Sequence, residues 1–138
     1  MKKYVFLLCG ALILLWIWGN SLLNASRSAA ESQWVLDWVR ATFSGMPGMQ
    51  YLNMYTIRKL AHLAEYMILG FFLSLGSVAL WKKNRIIWVI LCGAIIAMVD
   101  ECMQLFSPGR SSEVIDVIID TVGVFVGTLL VWVWNKYK

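Results

Sequence analysis

The chain has 138 residues, of which 60% are hydrophobic and only 14% are charged, and its mean hydropathy is +0.69. Soluble domains average about 45–50% apolar and about 25% charged residues. The composition therefore excludes an ordinary soluble domain and predicts a membrane protein that forms one unit. The net charge of +4 comes without a basic motif typical of nucleic-acid binding, so no nucleic-acid partner is expected.

The first predicted transmembrane span covers residues 4–23 and follows Lys2 and Lys3. A cleaved signal peptide would have a similar basic start and apolar run, followed by small residues such as those in "NASRSAA". However, the apolar run is long and contains Trp16 and Trp18, which are typical of a membrane interface. We therefore interpret the segment as an uncleaved anchor.

A short amphipathic helix is predicted at residues 29–43. Ser28 followed by Glu31 fits a capping box at its start. Trp34 and Trp38 fall on one side of the helix, which favours a position at the membrane interface. Two interpretations remain open, a helix packed on the rim of the bundle and a lid over a polar site.

Three later apolar runs are too short to cross a bilayer unaided. They have 14 or 15 residues and cover 66–80, 86–99 and 121–134, whereas a span needs about 20 residues at about 1.5 Å per residue. The basic segment "KKNR" lies between the second and third helices, and "NKYK" follows the fourth. These segments bound the three helices on one side of the membrane, so each helix must extend toward the other side. This predicts spans at 61–81, 86–106 and 114–134. The predicted fold is all-α, with four transmembrane helices and the short amphipathic helix.

Extending these spans brings polar side chains into the membrane region. They are Lys59, His62 and Glu65 on or before the second span, Asp100, Glu101 and Gln104 on the third, and Asp116 and Asp120 on the fourth. Within each segment the residues are mostly three or four apart and share a helix face. Because charges facing lipid are costly, we expect the acids to face inward and to pair with His62, Lys59 or Arg110. Below them, Gly123 and Gly127 form a Gly-x-x-x-Gly that predicts close helix packing.

The basic residues predict an orientation. Seven of the twelve Lys and Arg residues lie at the N-terminus, at 82–85 or at the C-terminus, and cytoplasmic segments are enriched in these residues. Both termini are therefore predicted to be cytoplasmic, with the 24–58 connection outside. The polar side chains then lie in the outer leaflet.

Some of these features also have simple structural interpretations. Glu113 and Asp116 lie in the first turn of a helix, where acids interact favourably with the helix dipole. Pro108 and Gly109 fit a turn, and Arg110 fits an interfacial anchor. The three cysteines have neither disulfide nor metal-ligand spacing and are interpreted as small hydrophobic residues.

The segments "RKLAHLAEYMILG" and "DECMQLFSPGRSSEVIDVIIDTVGVFVG" together resemble the VanZ-like family of bacterial membrane proteins. The family pattern falls on Lys59, His62, Glu65, Tyr66, Asp100, Glu101, Gln104, Pro108–Arg110, Asp116, Asp120, Gly123 and Gly127. The resemblance implies a multi-pass protein of the bacterial plasma membrane. The family is named after a protein that gives low-level resistance to teicoplanin, a lipid-tailed glycopeptide, so a phenotype is implied more readily than a reaction.

Two classes of function follow. In the first, which we favour, the polar site binds a lipoglycopeptide or a lipid-linked cell-wall precursor through Lys59, Gln104, Arg110 and Asp120. In the second, the protein is an enzyme acting on a lipid-linked intermediate, with His62 or Glu65 as general base. Further catalytic candidates are Asp100, Glu101 and Asp116. A transporter is a weaker third possibility, and the oligomeric state is left open.

No cofactor or dedicated metal site is predicted. A divalent cation remains possible, because carboxylates supply the oxygen ligands that such ions bind. The candidate ligands for it are Glu65, Asp100, Glu101, Asp116 and Asp120. The sequence contains no nucleophile elbow and no His-Glu-x-x-His helix, motifs that would have favoured catalysis.

Overall fold

The computed structural model describes residues 2–110 and 112–137, without the side chains of Lys2 and Lys3. Within them the regular structure is entirely helical: α1 (Lys2–Ser21), α2 (Ala25–Thr42), α3 (Met54–Trp81), α4 (Ile86–Gln104), α5 (Val114–Lys136) and a short 3-10 helix at Met49–Tyr51. By length and composition α1, α3, α4 and α5 can cross a membrane. The predicted all-α fold with four candidate spans is confirmed.

The α3 helix begins well before the predicted residue 61. Asn53 has extended backbone geometry, and its side chain accepts a hydrogen bond from the backbone N–H of Thr56. This N-cap starts the helix at Met54, so α3 has 28 residues. Its first two turns therefore precede the predicted span.

The α4 helix ends at Gln104, slightly before the predicted residue 106. The chain turns there through Ser107 and Gly109, and the positive φ of 76° at Gly109 suits a residue without a Cβ. The α5 helix begins at Val114, as predicted, and continues to Lys136 rather than stopping at 134.

The predicted capping box of α2 is wrong. Asn24 caps the helix by accepting from the backbone N–H of Arg27, so the helix starts at Ala25 rather than near residue 29. An Asn is as good an N-cap as a Ser, and it comes first along the chain. The helix buries Leu36 and leaves Trp34 and Trp38 70% and 56% exposed. Its tryptophans therefore face away from the bundle.

The centre of the bundle is α3, which packs on α1, α4 and, most extensively, α5. A Cβ on Gly123 of α5 would lie 2.6 Å from the carbonyl oxygen of Leu63, and one on Gly127 would overlap the carbonyl of Met67. The close approach predicted from the two glycines is therefore confirmed. On the facing side, Gly70 of α3 is equally close to the backbone of Val124.

One end of the bundle joins the C-terminal ends of α1 and α4 to the N-terminal parts of α3 and α5. The Ser107 hydroxyl donates to the carbonyl of Ser21 at 2.8 Å, and the Ala25 N–H donates to the carbonyl of Pro108 at 3.1 Å. The apolar core, which includes Tyr66 and Val124, lies next to this end. These two hydrogen bonds therefore join the end of α1 to the connection that follows α4, beside the polar residues.

Candidate functional site

The polar side chains form a buried layer at this end of the bundle, which we call the polar layer. Its members are Arg58, Lys59, His62, Glu65, Asp100, Glu101, Gln104, Arg110, Glu113, Asp116 and Asp120. Asp100, Gln104 and Asp120 are fully buried, and Glu101 and Asp116 nearly so. The sequence prediction that the acids face inward is confirmed for these residues.

Lys59 holds α3 to the start of α5. Its Nζ lies 3.0 Å from Glu113 Oε2 and also forms an ion pair with Asp116. The hydrogen bond from Lys59 lowers the pKa of Glu113, and the charge of Lys59 adds to this effect. The Glu113 N–H in turn donates to Glu101 Oε2 at 2.8 Å. Both Lys59 and Asp116 are therefore engaged in helix–helix contacts.

Gln104 organises the end of α4. Its amide nitrogen donates to Asp100 Oδ2 at 3.2 Å and to Glu101 Oε1 at 3.1 Å. Its amide oxygen accepts from Arg58 Nη2 at 2.9 Å. The fully buried Gln104 thus links the two adjacent acids to α3, a role different from the ligand contact expected from the sequence.

Arg110 contacts α1 rather than the acids at the end of α4. Its Nη1 donates to the carbonyl oxygens of Asn20 and Ser21, at 3.0 and 3.1 Å. These carbonyls belong to the last turn of α1, where a cation also complements the helix dipole. Burial lowers the pKa of Arg110, and the nearby positive charge of Arg58 lowers it further. The expected pairing of Arg110 with carboxylates is absent from the ion pairs of the described chain.

Glu65 is bound by two side chains of α1. Its Oε1 accepts from Trp16 Nε1 at 3.0 Å and from Asn20 Nδ2 at 2.9 Å. The sequence predicted polar side chains from the second, third and fourth spans, and α1 adds two donors that it did not predict. No spacing rule connects Asn20 to Glu65, since they lie on different helices far apart in sequence.

Behind Glu65 lies what we call the inner cluster, formed by His62, Asp100 and Asp120. One potential ligand atom from each residue lies within 4.8 Å of the others. His62 Nδ1 and Asp120 Oδ1 are 3.3 Å apart. Asp100 Oδ1, both oxygens of Asp120 and the Tyr66 hydroxyl are buried and make no hydrogen bond. Asp100 and Asp120 were among the five candidate cation ligands predicted from the sequence, whereas His62 was not.

A cavity of about 470 Å³ opens beside the polar layer, between α1, α2 and α3. Its polar lining includes Ser28, Ser32, Arg58, His62, Glu65 and Arg110. Val35 and Val39 of α2 line it with apolar side chains. The α2 helix therefore forms one wall of the cavity, and both interpretations of this helix stay predictions.

A family model described as VanZ/LLP1 matches residues 4–135, nearly the whole chain. The chain belongs to the VanZ/LLP1 family. No curated protein and no solved structure matches it. Together with the four candidate spans, the family makes this a multi-pass membrane protein.

In this VanZ/LLP1 protein the motif residues divide into two groups. Lys59, Gln104 and Asp116 make contacts that join helices, whereas His62 and Glu65 line the cavity. Sequence reasoning overlooked Arg58, which also lines the cavity, and the donors on α1. Arg58 could have been found from the sequence, because it directly precedes Lys59 and is the first residue of the motif segment "RKLAHLAEYMILG".

Proposed function

We propose that this VanZ/LLP1 protein binds the anionic head region of a lipid-tailed molecule in the cavity beside the polar layer. The ligand is either a lipid-linked cell-wall precursor or a lipoglycopeptide such as teicoplanin, and binding contributes to glycopeptide resistance. The site lies in the outer leaflet of the bacterial plasma membrane, with both termini cytoplasmic. The supporting observation is a pair of arginines that line one cavity.

Arg58 and Arg110 both line the cavity, and the Nε atom of each is buried without a hydrogen-bond partner. A buried N–H without a partner is costly, and a guanidinium group binds phosphates and carboxylates through two parallel hydrogen bonds. Because both arginine side chains line the cavity, an anionic ligand there would lie beside two guanidinium groups. Arg58 thus replaces Lys59 as the second expected anion contact, because Lys59 is already paired with two acids.

The remainder of the cavity suits a ligand with an apolar portion. Apolar side chains of α2 and α3, among them Val35, Val39 and Leu60, line it beside the arginines. The exposed Trp34 and Trp38 on the opposite side of α2 suit a helix lying at a membrane interface. A lipid-tailed molecule could therefore place its head in the cavity while its tail stays in the bilayer.

Binding to lipid nanodiscs containing the purified protein tests this proposal. The ligands are labelled lipid-linked precursor and labelled teicoplanin, measured separately so that the two sources are distinguished. Arg58→Gln should weaken binding of the true ligand by roughly tenfold or more, because it removes a charged hydrogen bond. Arg27→Gln is the matched control, since Arg27 is an exposed arginine on α2. Equal affinities for the two variants, or no binding of either ligand, would contradict the proposal.

A membrane-embedded enzyme is the second candidate function. His62 and Glu65 line the same cavity, and Asp120 lies 3.3 Å from His62 Nδ1, in the position of a carboxylate that orients a general base. Product analysis in the same nanodiscs separates the two functions. Conversion of the precursor that is lost in Glu65→Gln favours the enzyme, whereas stoichiometric recovery of unchanged ligand favours binding.

A further inference from the structure

We propose that His62, Asp100 and Asp120 bind a divalent transition-metal ion, with zinc the ion that their donor set fits best. The three residues come from α3, α4 and α5, so one ion would join three helices. The site lies behind the cavity wall, and His62 belongs to both. Metal retention requires no lipid ligand, so this inference stands independently of the proposed function.

The distances suit ligands of a common ion. Zinc is bound by His nitrogen and Asp oxygen at roughly 2.0–2.2 Å, which separates neighbouring ligand atoms by roughly 3.0–3.5 Å. His62 Nδ1 and Asp120 Oδ1 are 3.3 Å apart. The two atoms lie within ion-pair distance, but no hydrogen bond of good geometry joins them. A neutral His62 would offer Nδ1 as a metal ligand, and an ion held between the two atoms would use both of them.

The carboxylates of the inner cluster differ from the other acids of the polar layer. Glu65, Glu101 and Asp116 accept hydrogen bonds from neighbouring side chains. By contrast, Asp100 and Asp120 are 0% exposed and retain three oxygens without a donor. Burying two carboxylates in this way is expensive unless a positive charge compensates for them. One divalent cation would neutralise both.

The surroundings of Asp100 also resemble those of a metal ligand. Gln104 Nε2 donates to Asp100 Oδ2 at 3.2 Å, and the buried Oδ1 makes no hydrogen bond of good geometry. Gln104 is itself held by Arg58. Ligating carboxylates in metalloproteins are commonly oriented by such second hydrogen bonds.

The donor set selects the type of metal. Magnesium and calcium prefer sites made wholly of oxygen, whereas an imidazole with two carboxylates suits zinc and related transition metals. Three protein ligands leave a fourth position for water or a bound ligand, the arrangement found in catalytic rather than structural zinc sites. This position would make the inner cluster available to a molecule in the cavity.

Metal analysis of the purified protein tests the inference. The protein carries a tag without histidines, and Cys9, Cys92 and Cys102 are replaced by alanine, because imidazoles and thiols elsewhere would bind zinc. After chelator treatment, loading with zinc and dialysis, we expect one zinc per chain by mass spectrometry. Cobalt loading should give the visible absorption bands of a four-coordinate site with nitrogen and oxygen ligands.

Asp100→Asn and Asp120→Asn keep the side-chain shape and should each lower zinc affinity by more than about tenfold. Asp37→Asn is the control, since Asp37 is an exposed carboxylate on α2. If a variant fails to fold, the parent protein still decides the matter, because bound zinc must raise its thermal unfolding temperature. No stoichiometric zinc or cobalt in the parent, or equal zinc affinity in the Asp120→Asn and Asp37→Asn proteins, would overturn the site. Retention of magnesium or calcium alone would overturn the choice of ion together with the role of His62.

Discussion

Gly127 of α5 lies directly against the backbone of Met67 in α3, so closely that a Cβ at Gly127 would overlap the Met67 carbonyl. The α3–α5 contact is the most extensive in the bundle, and it carries two of the three residues of the inner cluster. The distance between these helices therefore determines whether His62 and Asp120 can meet.

The first prediction is that Gly127→Ala destabilises the protein. The added methyl group meets backbone rather than a flexible side chain, so α3 and α5 must separate. Overpacking of this kind costs about 1–3 kcal/mol and sometimes more. Thermal unfolding in detergent measures the loss.

Gly19→Ala is the matched control for this substitution. Gly19 is also in a helix, but a Cβ there would have no neighbour within 4 Å. Alanine has the higher helix propensity by about 1 kcal/mol, so Gly19→Ala should be neutral or slightly stabilising. Equal effects of the two substitutions would contradict the packing argument.

The second prediction concerns acid sensitivity at the start of α5. The pKa of Glu113 lies below its ordinary value of 4.5 in the folded protein, chiefly because Lys59 donates a hydrogen bond to its carboxylate. A carboxylate with a lowered folded pKa stabilises the fold above its unfolded pKa and loses this effect as the pH falls through the folded value. The stability difference between the parent and Glu113→Gln should therefore be present at neutral pH and disappear under acid conditions.

Unfolding curves of the two proteins between about pH 3 and pH 7 measure this difference. Glu31→Gln also removes one negative charge, from an exposed side chain of α2 that lines the cavity and pairs with Arg27 at 3.7 Å. It should leave the pH profile nearly unchanged, since exposed ion pairs contribute little. A Glu113→Gln difference that is the same at both ends of the pH range would argue against the Lys59 pairing as its cause.

The third prediction is the orientation of the chain. The excess of basic residues predicts that the 82–85 loop is cytoplasmic and that the 24–58 connection is outside. Lys83→Cys and Ser44→Cys, each in a background without native cysteines, place one exposed thiol on each connection. In intact cells an impermeant maleimide should label residue 44 and not residue 83. The opposite labelling pattern would place the polar layer in the inner leaflet.

Hydropathy and spacing predicted the four candidate spans because each contains an apolar run bounded by basic residues. The same pattern could not locate the start of α3, since a polar cap at Asn53 determines it rather than the apolar run. For α2, both Asn24 and Ser28 could have been the N-cap, and the structure has Asn24 in this role. Helix ends governed by local hydrogen bonds are therefore the part of the fold that the apolar pattern describes least well.

The polar layer was predictable as a set, because short apolar runs forced its residues into the membrane region. Its internal pairing was predicted only in part: the acids pair with Lys59 and His62, as expected, but the other contacts depend on how the helices rotate against one another. Arg110 turned toward the α1 carbonyls instead of the acids, and Glu65 received its donors from α1. Contacts between distant helices leave no spacing signal in a single sequence.

The last prediction is that cavity and inner-cluster residues act as one functional unit. His62 links them, because it lines the cavity and lies 3.3 Å from Asp120. Residues of one site lose function together, so Glu65→Gln, His62→Gln and the double variant should give similar losses. Separate structural roles predict smaller and roughly additive losses instead. Glu101→Gln and Asp116→Asn should lower membrane abundance as well, since these acids join helices.

Teicoplanin susceptibility of a sensitive host expressing each variant measures these losses. Membrane abundance is quantified alongside, because unfolding would imitate a loss of function. Asp37→Asn controls for removal of an exposed charge and should retain resistance. The informative comparison is between variants of equal abundance, since only there does susceptibility report on the site itself. Full resistance with Glu65→Gln at normal abundance would contradict a shared site, because this substitution alters a side chain that lines the cavity and accepts both α1 hydrogen bonds.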